Sequence, residues 1–98
     1  IGTYKSLIIS HKEYAICRQL LRSGTSVGAN IAEAIGSISK KEFGHKCSIA
    51  YKEARETKYW VRLLVDCDYL DPNEGKELID KTDEICRMLY VSVKNARG

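Results

Sequence analysis

The chain has 98 residues, of which 44% are hydrophobic and 30% charged, and its formal net charge at pH 7 is +3. This length suits one domain over residues 1–98, and the composition supplies both a core and a charged surface. No apolar run is long enough to span a bilayer, and we identify no secretory signal ahead of the domain, so we expect no membrane association. A single Pro and the lack of β-branched runs between turns favour an all-α fold.

The N-terminal third of the chain predicts two helices. Residues 1–9 carry a short apolar stripe and are interpreted as the end of an incomplete first helix, because the chain begins at Ile1 without Met. Residues 10–13 read Ser-His-Lys-Glu, which has the form of a capping box. A second helix is therefore predicted over residues 11–36, followed by a turn at residues 36–38.

The middle of this second helix contains two glycines one turn apart, Gly24 and Gly28, in a sequence that forms helix poorly. A neighbouring helix that approaches the backbone closely would explain them. The alternative is a bend over residues 23–26, with a new cap inside it. We favour the continuous helix.

The next predicted helix, over residues 39–69, organises the chain. It begins with a second capping box, Ser39-Lys40-Lys41-Glu42. Apolar residues then recur at steps of three and four, which predicts one core-facing stripe. The stripe consists of Phe43, Cys47, Ala50, Ala54, Thr57, Val61 and Leu64.

Two further faces of this helix carry the functional hypotheses. Ile49, Trp60 and Leu63 widen the apolar surface, and we predict that they form a subunit interface, unless the incomplete first helix covers them. Basic residues share a third face, and aromatic residues are interleaved with them. Such a surface suits phosphate contacts and base stacking, and it also occurs as an ordinary solvated face. The predicted nucleic-acid-binding residues are Lys52, Arg55, Lys58 and Arg62, followed by Lys40 and Lys41.

A last helix is predicted from residue 72. Asp71 is its expected cap, Pro72 takes the first helical position, and Glu74 occupies the third position of a capping box. The loops between helices are short, so neighbouring helices should be antiparallel. The predicted architecture is an up-and-down antiparallel four-helix bundle whose first helix is incomplete.

The sequence offers little evidence for catalysis or for a cofactor. Cys17, Cys47, Cys67 and Cys86 are widely spaced and each lies on an apolar helix face, which favours buried thiols in a reducing cytoplasm over a zinc site or disulfides. No nucleophile motif or phosphate-binding loop is present. We expect a non-enzymatic protein without a metal or other cofactor.

Three glutamates need a separate explanation. Glu33, Glu53 and Glu56 lack the Glu-x-x-His spacing of di-iron bundles. Ion pairing with residues such as Arg22 is the simpler interpretation, although the sequence alone leaves open whether they face a core, an interface or water.

Three segments carry a resemblance to a known family: QLLRSGTSVGANIAEA at 19–34, SKKEF at 39–43 and IAYKEARETKYW at 49–60. They resemble bacterial four-helix bundle proteins, some of which are encoded in intervening sequences of large-subunit ribosomal RNA genes. Family members are described as ribosomal-protein-like because of that gene location. The resemblance extends over about residues 12–94. Family members have a longer first helix, which agrees with the incomplete helix inferred above.

The resemblance implies a homopentameric ring of four-helix bundles. It also implies kinship with the accessory protein of diversity-generating retroelements, a basic pentamer that binds nucleic acid and a reverse transcriptase. The family has no established catalytic residues. We therefore expect a non-enzymatic oligomer that binds RNA or DNA through its basic faces. The alternative is a protein-interaction scaffold, such as an accessory subunit of a reverse transcriptase.

Overall fold

The computed structural model describes residues 2–97, and describes side chains from residue 11 onward. Within these residues the chain forms three α-helices and no strand, which confirms the all-α fold. The helices are α1 (Gly2–Ile35), α2 (Lys40–Asp66) and α3 (Pro72–Arg97). None of them has the length and apolar character needed to cross a membrane.

The predicted boundary at residues 10–13 is wrong, because α1 runs through it without interruption. The apolar residues on either side stay in one register, since Ile9 is followed by Ile16 and Leu20 at steps of seven and four. A Ser inside a helix costs only a few tenths of a kcal/mol, so a capping pattern alone does not end one. Ile1 and the side chains of residues 2–9, which carry the predicted first stripe, lie outside the described part of the chain.

The other helix ends follow the predicted local chemistry. Ser39 has extended backbone angles, and its hydroxyl accepts a hydrogen bond of 3.0 Å from the Glu42 amide at the start of α2. At the start of α3, Asp71 accepts from the amides of Asn73 and Glu74 at 3.0 and 3.2 Å.

The end of α2 comes three residues before the predicted boundary. Asp68 adopts a left-handed conformation with φ 62°, and the amides of Asp68 and Tyr69 bond back to Val65 and Leu64. This is a Schellman motif with Asp in the position that Gly usually occupies. The turn places α3 beside α2.

The three helices form a flat, elongated layer of 59 × 22 × 15 Å, with α2 in the middle. Cross-helix pairs such as Glu33–Lys46 and Lys58–Asp83 show that neighbouring helices are antiparallel. Among the described residues, no Cα of α1 lies within 8 Å of a Cα of α3. One face between the outer helices is consequently open.

The core follows the stripe predicted for α2. Ala50 and Ala54 are completely buried, and Val61 is 2% exposed. Small residues on α2 allow both neighbours to pack closely, and burial of apolar area is the main stabilising contribution here. The remaining buried apolar residues are Ile16, Val27, Ala34, Cys47, Leu64, Cys86 and Leu89.

The expectation that all four cysteines are buried is wrong in part. Cys47 and Cys86 are buried, Cys67 is half-buried and Cys17 is exposed. Cys17 lies one residue, and therefore about 100° around the helix, from the buried Ile16. All four thiols are free.

Helix α1 is continuous through Gly24 and Gly28, as favoured from the sequence, but no neighbouring helix within the described part of the chain approaches either glycine closely. A Cβ added at either position would meet nothing within 4 Å. The close approach to α2 is made by Ser23, which is completely buried and whose Oγ lies 2.9 Å from the Thr57 hydroxyl.

Candidate nucleic-acid interface

The predicted basic face of α2 is accessible at three of its four positions. Lys52, Arg55 and Arg62 are exposed and take part in no ion pair in the described part of the chain. Lys58 differs, because its ammonium donates a 2.6 Å hydrogen bond to Asp83 on α3. Three exposed cations therefore remain on this face to contact a polyanion.

The Lys58–Asp83 pair lies among further basic side chains. Its hydrogen bond is the main cause that lowers the pKa of Asp83 below its ordinary value, and Arg87 and Arg62 add smaller electrostatic contributions. Arg87 and Asp83 line the same groove between α2 and α3. Arg87 is exposed on α3 and was not among the predicted site residues.

Two tyrosines pack across the boundary between α2 and α3 beside this basic face. The ring centroids of Tyr51 and Tyr90 are 6.1 Å apart, with the planes inclined at 51°. The Arg55 guanidinium carbon lies 5.9 Å from the centroid of the Tyr51 ring, which is cation–π geometry. Arg55 is thereby positioned against an aromatic ring while it stays exposed to solvent.

Lys40 and Lys41 lie in a second basic region, at the start of α2 and the end of α3. They line a groove of about 400 Å³ together with His45 and Arg97. Gly44 and Ala96 also line this groove, and the two helices approach closely there: a Cβ at Gly44 would lie 2.8 Å from the Cβ of Ala96. Sequence reasoning omitted Arg97 from the site, because it comes from a helix more than 50 residues later in the chain than Lys41.

The three glutamates form ion pairs, as the simpler interpretation held. Arg22 binds both Glu53, at 3.3 Å, and Glu56, and the Trp60 indole donates to Glu56 at 3.1 Å. The hydrogen bond from Arg22 is the main cause that lowers the pKa of Glu56. Glu33 pairs with Lys46 at 3.1 Å. The described residues include no group of three or more His, Cys, Asp or Glu that could hold a metal ion.

The residues predicted for the oligomer interface, Ile49, Trp60 and Leu63, are all half-buried. Trp60 also contacts the ring of Tyr59 edge-on, with centroids 4.9 Å apart, and Tyr59 is 57% exposed. Part of the apolar area on this side of α2 is thus accessible. Its role in assembly stays a prediction.

An apolar groove of about 420 Å³ lies on the open face between α1 and α3. Leu21 is 71% exposed and Leu78 is 42% exposed there, and Gly24 lies beside them. The floor is formed by Thr57 and Val61 of α2. This groove has the dimensions and chemistry of a place where another helix packs.

These features define a class: an up-and-down helical protein with basic surfaces on its central helix and an uncovered apolar groove. The chain belongs to the 23S rRNA-intervening sequence protein family, whose sequence model matches residues 3–91. This confirms the family resemblance carried by the three segments.

A crystal structure supports the same assignment. It is that of a protein of unknown function from the S23 ribosomal protein family of Bacteroides thetaiotaomicron VPI-5482, which is 40% identical to this chain, with a TM-score of 0.80. The match covers 95% of this chain and 83% of the other. No curated protein matches the chain.

Proposed function

We propose that this protein is a non-enzymatic, oligomeric helical bundle that binds RNA or DNA through basic surfaces on α2 and α3. The observation that carries the proposal is the set of exposed cations that stay outside ion pairs in the described part of the chain. Lys and Arg neutralise phosphates and release counterions, which gives sequence-independent affinity. On α2 and α3 the set consists of Lys40, Lys41, Lys52, Arg55, Arg62, Arg87, Lys94 and Arg97.

The overall charge of +3 is too small for one subunit to bind strongly by bulk electrostatics. Assembly would change this, because several copies of a modest basic patch act together at high effective concentration. We therefore propose that the functional unit is a homo-oligomer, a pentameric ring, with Ile49, Trp60 and Leu63 at the subunit contacts. Their partial exposure supports this proposal.

The proposed subunit is a complete four-helix bundle. The open groove beside Leu21, Gly24 and Leu78 supports this, because exposed apolar side chains there would be buried by a fourth helix. In that arrangement the basic side chains of α2 and α3 stay exposed, since they lie outside the groove.

The test is binding of fluorescein-labelled structured RNA and duplex DNA, measured by anisotropy at several salt concentrations. We expect binding that weakens steeply with salt. The double variant Lys52→Glu/Arg55→Glu should weaken binding and flatten the salt dependence, because two phosphate contacts are lost.

The matched control is Lys12→Glu/Lys81→Glu, which makes the same change of net charge at two exposed positions outside the proposed surface. Its binding affinity should depend on salt concentration almost as steeply as that of the wild-type protein, because a change of net charge away from the surface has a much smaller effect. Equal effects of the two double variants would remove Lys52 and Arg55 from the site. Absence of binding by the wild-type protein at low salt would contradict the proposed function itself.

A protein-interaction scaffold, such as an accessory subunit of a reverse transcriptase, is the alternative. It is favoured by exposed apolar side chains away from the open groove: Ile38 is 97% exposed, Met88 66% and Val91 53%. A stable complex with a reverse transcriptase that survives Lys52→Glu/Arg55→Glu would support this alternative.

A further inference from the structure

A groove between α2 and α3 is lined by both aromatic and basic side chains. Its volume is about 400 Å³, and Tyr51, Tyr90, Arg87 and Val91 contribute to its walls. Cys86 lies at its buried side. A space of this size exceeds that of one nucleobase, and it opens to solvent beside the basic face of α2.

The groove presents an aromatic ring for stacking. Tyr90 is 55% exposed and is held on one side by Tyr51, whose ring is in turn covered by Arg55. The contact with Tyr51 orients the Tyr90 side chain, and the side of its ring that faces away from Tyr51 stays accessible. Stacking of a base on an exposed aromatic ring is the usual way in which proteins bind unpaired nucleotides.

The charged side chains are unevenly distributed along this groove, which leaves a place for a phosphate at one end. Lys58 and Asp83 neutralise each other at 2.6 Å at the end nearer the α2–α3 turn. Arg55 and Arg87 form no ion pair among the described side chains. Arg87 lines the groove with Tyr90, and the Arg55 guanidinium carbon lies 5.9 Å from the centroid of the Tyr51 ring. The uncompensated positive charge is therefore concentrated beside the tyrosines.

We infer that this groove binds an unpaired nucleotide of a single-stranded nucleic acid, with its base stacked on Tyr90 and its phosphate at Arg55 and Arg87. The inference depends on the proposed nucleic-acid binding and specifies its substrate class. In a duplex both faces of each base are covered by neighbouring pairs, so a duplex cannot use the tyrosine. Stacking on Tyr90 therefore adds affinity for single strands only, whereas Arg55 and Arg87 contact phosphates of either form.

The experiment compares two labelled probes of equal length, a single-stranded oligouridylate and an RNA duplex, by anisotropy at fixed salt with the full chain. Tyr90→Ala should weaken binding of the single strand about tenfold, as expected when one base loses its stacking partner. Binding of the duplex should change less than about twofold. Tyr90→Phe should retain wild-type affinity for both probes, because it keeps the ring.

Tyr14→Ala is the matched control, since Tyr14 is 66% exposed and lies on α1, on the other side of α2 from this groove. It should leave both affinities unchanged. Tyr90→Leu repeats the test with an apolar side chain that preserves packing against Tyr51, and circular dichroism verifies that each variant folds.

The outcomes separate this inference from the proposed function. If the wild-type protein binds neither probe, both are overturned. If it binds, but Tyr90→Ala and Tyr90→Leu weaken both probes equally or neither, nucleic-acid binding stands and the stacking site is wrong. If Tyr14→Ala selectively weakens single-strand binding as much as Tyr90→Ala does, the stacking is not specific to this groove and the inference is wrong.

Discussion

The two ends of the helical layer differ in whether side chains from all three helices pack together or flank an open groove. Near the α1–α2 turn, Ala34, Cys47 and Leu89 from three helices pack together and are at most 6% exposed. Nearer the α2–α3 turn, Leu21 and Leu78 flank an open groove and are 71% and 42% exposed. One end is stabilised by its own contacts, whereas the other presents a surface suited to another helix.

The largest expected difference between the ends is in the cost of truncating a leucine. Leu89→Ala should lower the free energy of unfolding by about 3 kcal/mol, because it removes buried area and leaves a cavity. Leu78→Ala makes the same chemical change at the open end and should cost less than about 1 kcal/mol as long as no further helix covers the groove. Urea denaturation measures both. Equal costs would mean that Leu78 is buried in solution and that the groove is occupied.

Gly44→Ala tests the close packing at the covered end. The added Cβ would lie 2.8 Å from the Cβ of Ala96, so α3 must move away from α2. We expect a loss of about 1–3 kcal/mol in the free energy of unfolding, in spite of the better helix propensity of Ala. Adding Ala96→Gly should restore part of the loss by removing the opposing methyl group. A single variant as stable as wild type would contradict this close approach.

Local chemistry explains which parts of the fold were predictable. The caps at Ser39 and Asp71 depend on hydrogen bonds to amides only two or three residues away, and both predictions were confirmed. The same pattern at residues 10–13 gave a wrong boundary, because the apolar register continues through it and favours one helix. A cap pattern indicates where a helix is able to start, and the tertiary packing decides whether it does.

The candidate site was predictable only along α2. Helical spacing placed Lys52, Arg55 and Arg62 on one face, which the structure shows to be exposed. Neutralisation of Lys58 by Asp83 depends on a contact between residues 25 apart in sequence, which periodicity does not encode. The contribution of Tyr90 has the same origin, since the α2–α3 packing brings it to Tyr51.

Gly24→Ala gives a smaller effect, whose sign distinguishes an open groove from an occupied one. The proposed four-helix bundle places another helix on this groove, so a methyl group added at Gly24 should lower the free energy of unfolding. If the groove instead stays open, where a Cβ at this position meets nothing within 4 Å, alanine should raise the free energy of unfolding by about 0.5–1 kcal/mol through its better helix propensity. Chemical denaturation of the variant therefore tests the four-helix bundle proposal directly.

The smallest expected effect concerns the ion pairs that join α1 and α2 beside this groove. Arg22, and to a lesser extent Trp60, lower the pKa of Glu56 below its ordinary value of 4.5. A carboxylate with a depressed pKa in the folded state stabilises the protein above the unfolded pKa, and this contribution disappears as the pH falls through the folded value. Glu56→Gln should therefore lower stability slightly at pH 7 and reduce the further loss of stability on acidification below about pH 4.5.

Thermal unfolding between pH 7 and pH 3 measures this effect. The control is Glu77→Gln, which removes a carboxylate from the exposed pair with Lys81. If Glu56→Gln and the wild-type protein lose stability in parallel over this range, the Arg22–Glu56 pair contributes nothing to the α1–α2 contact.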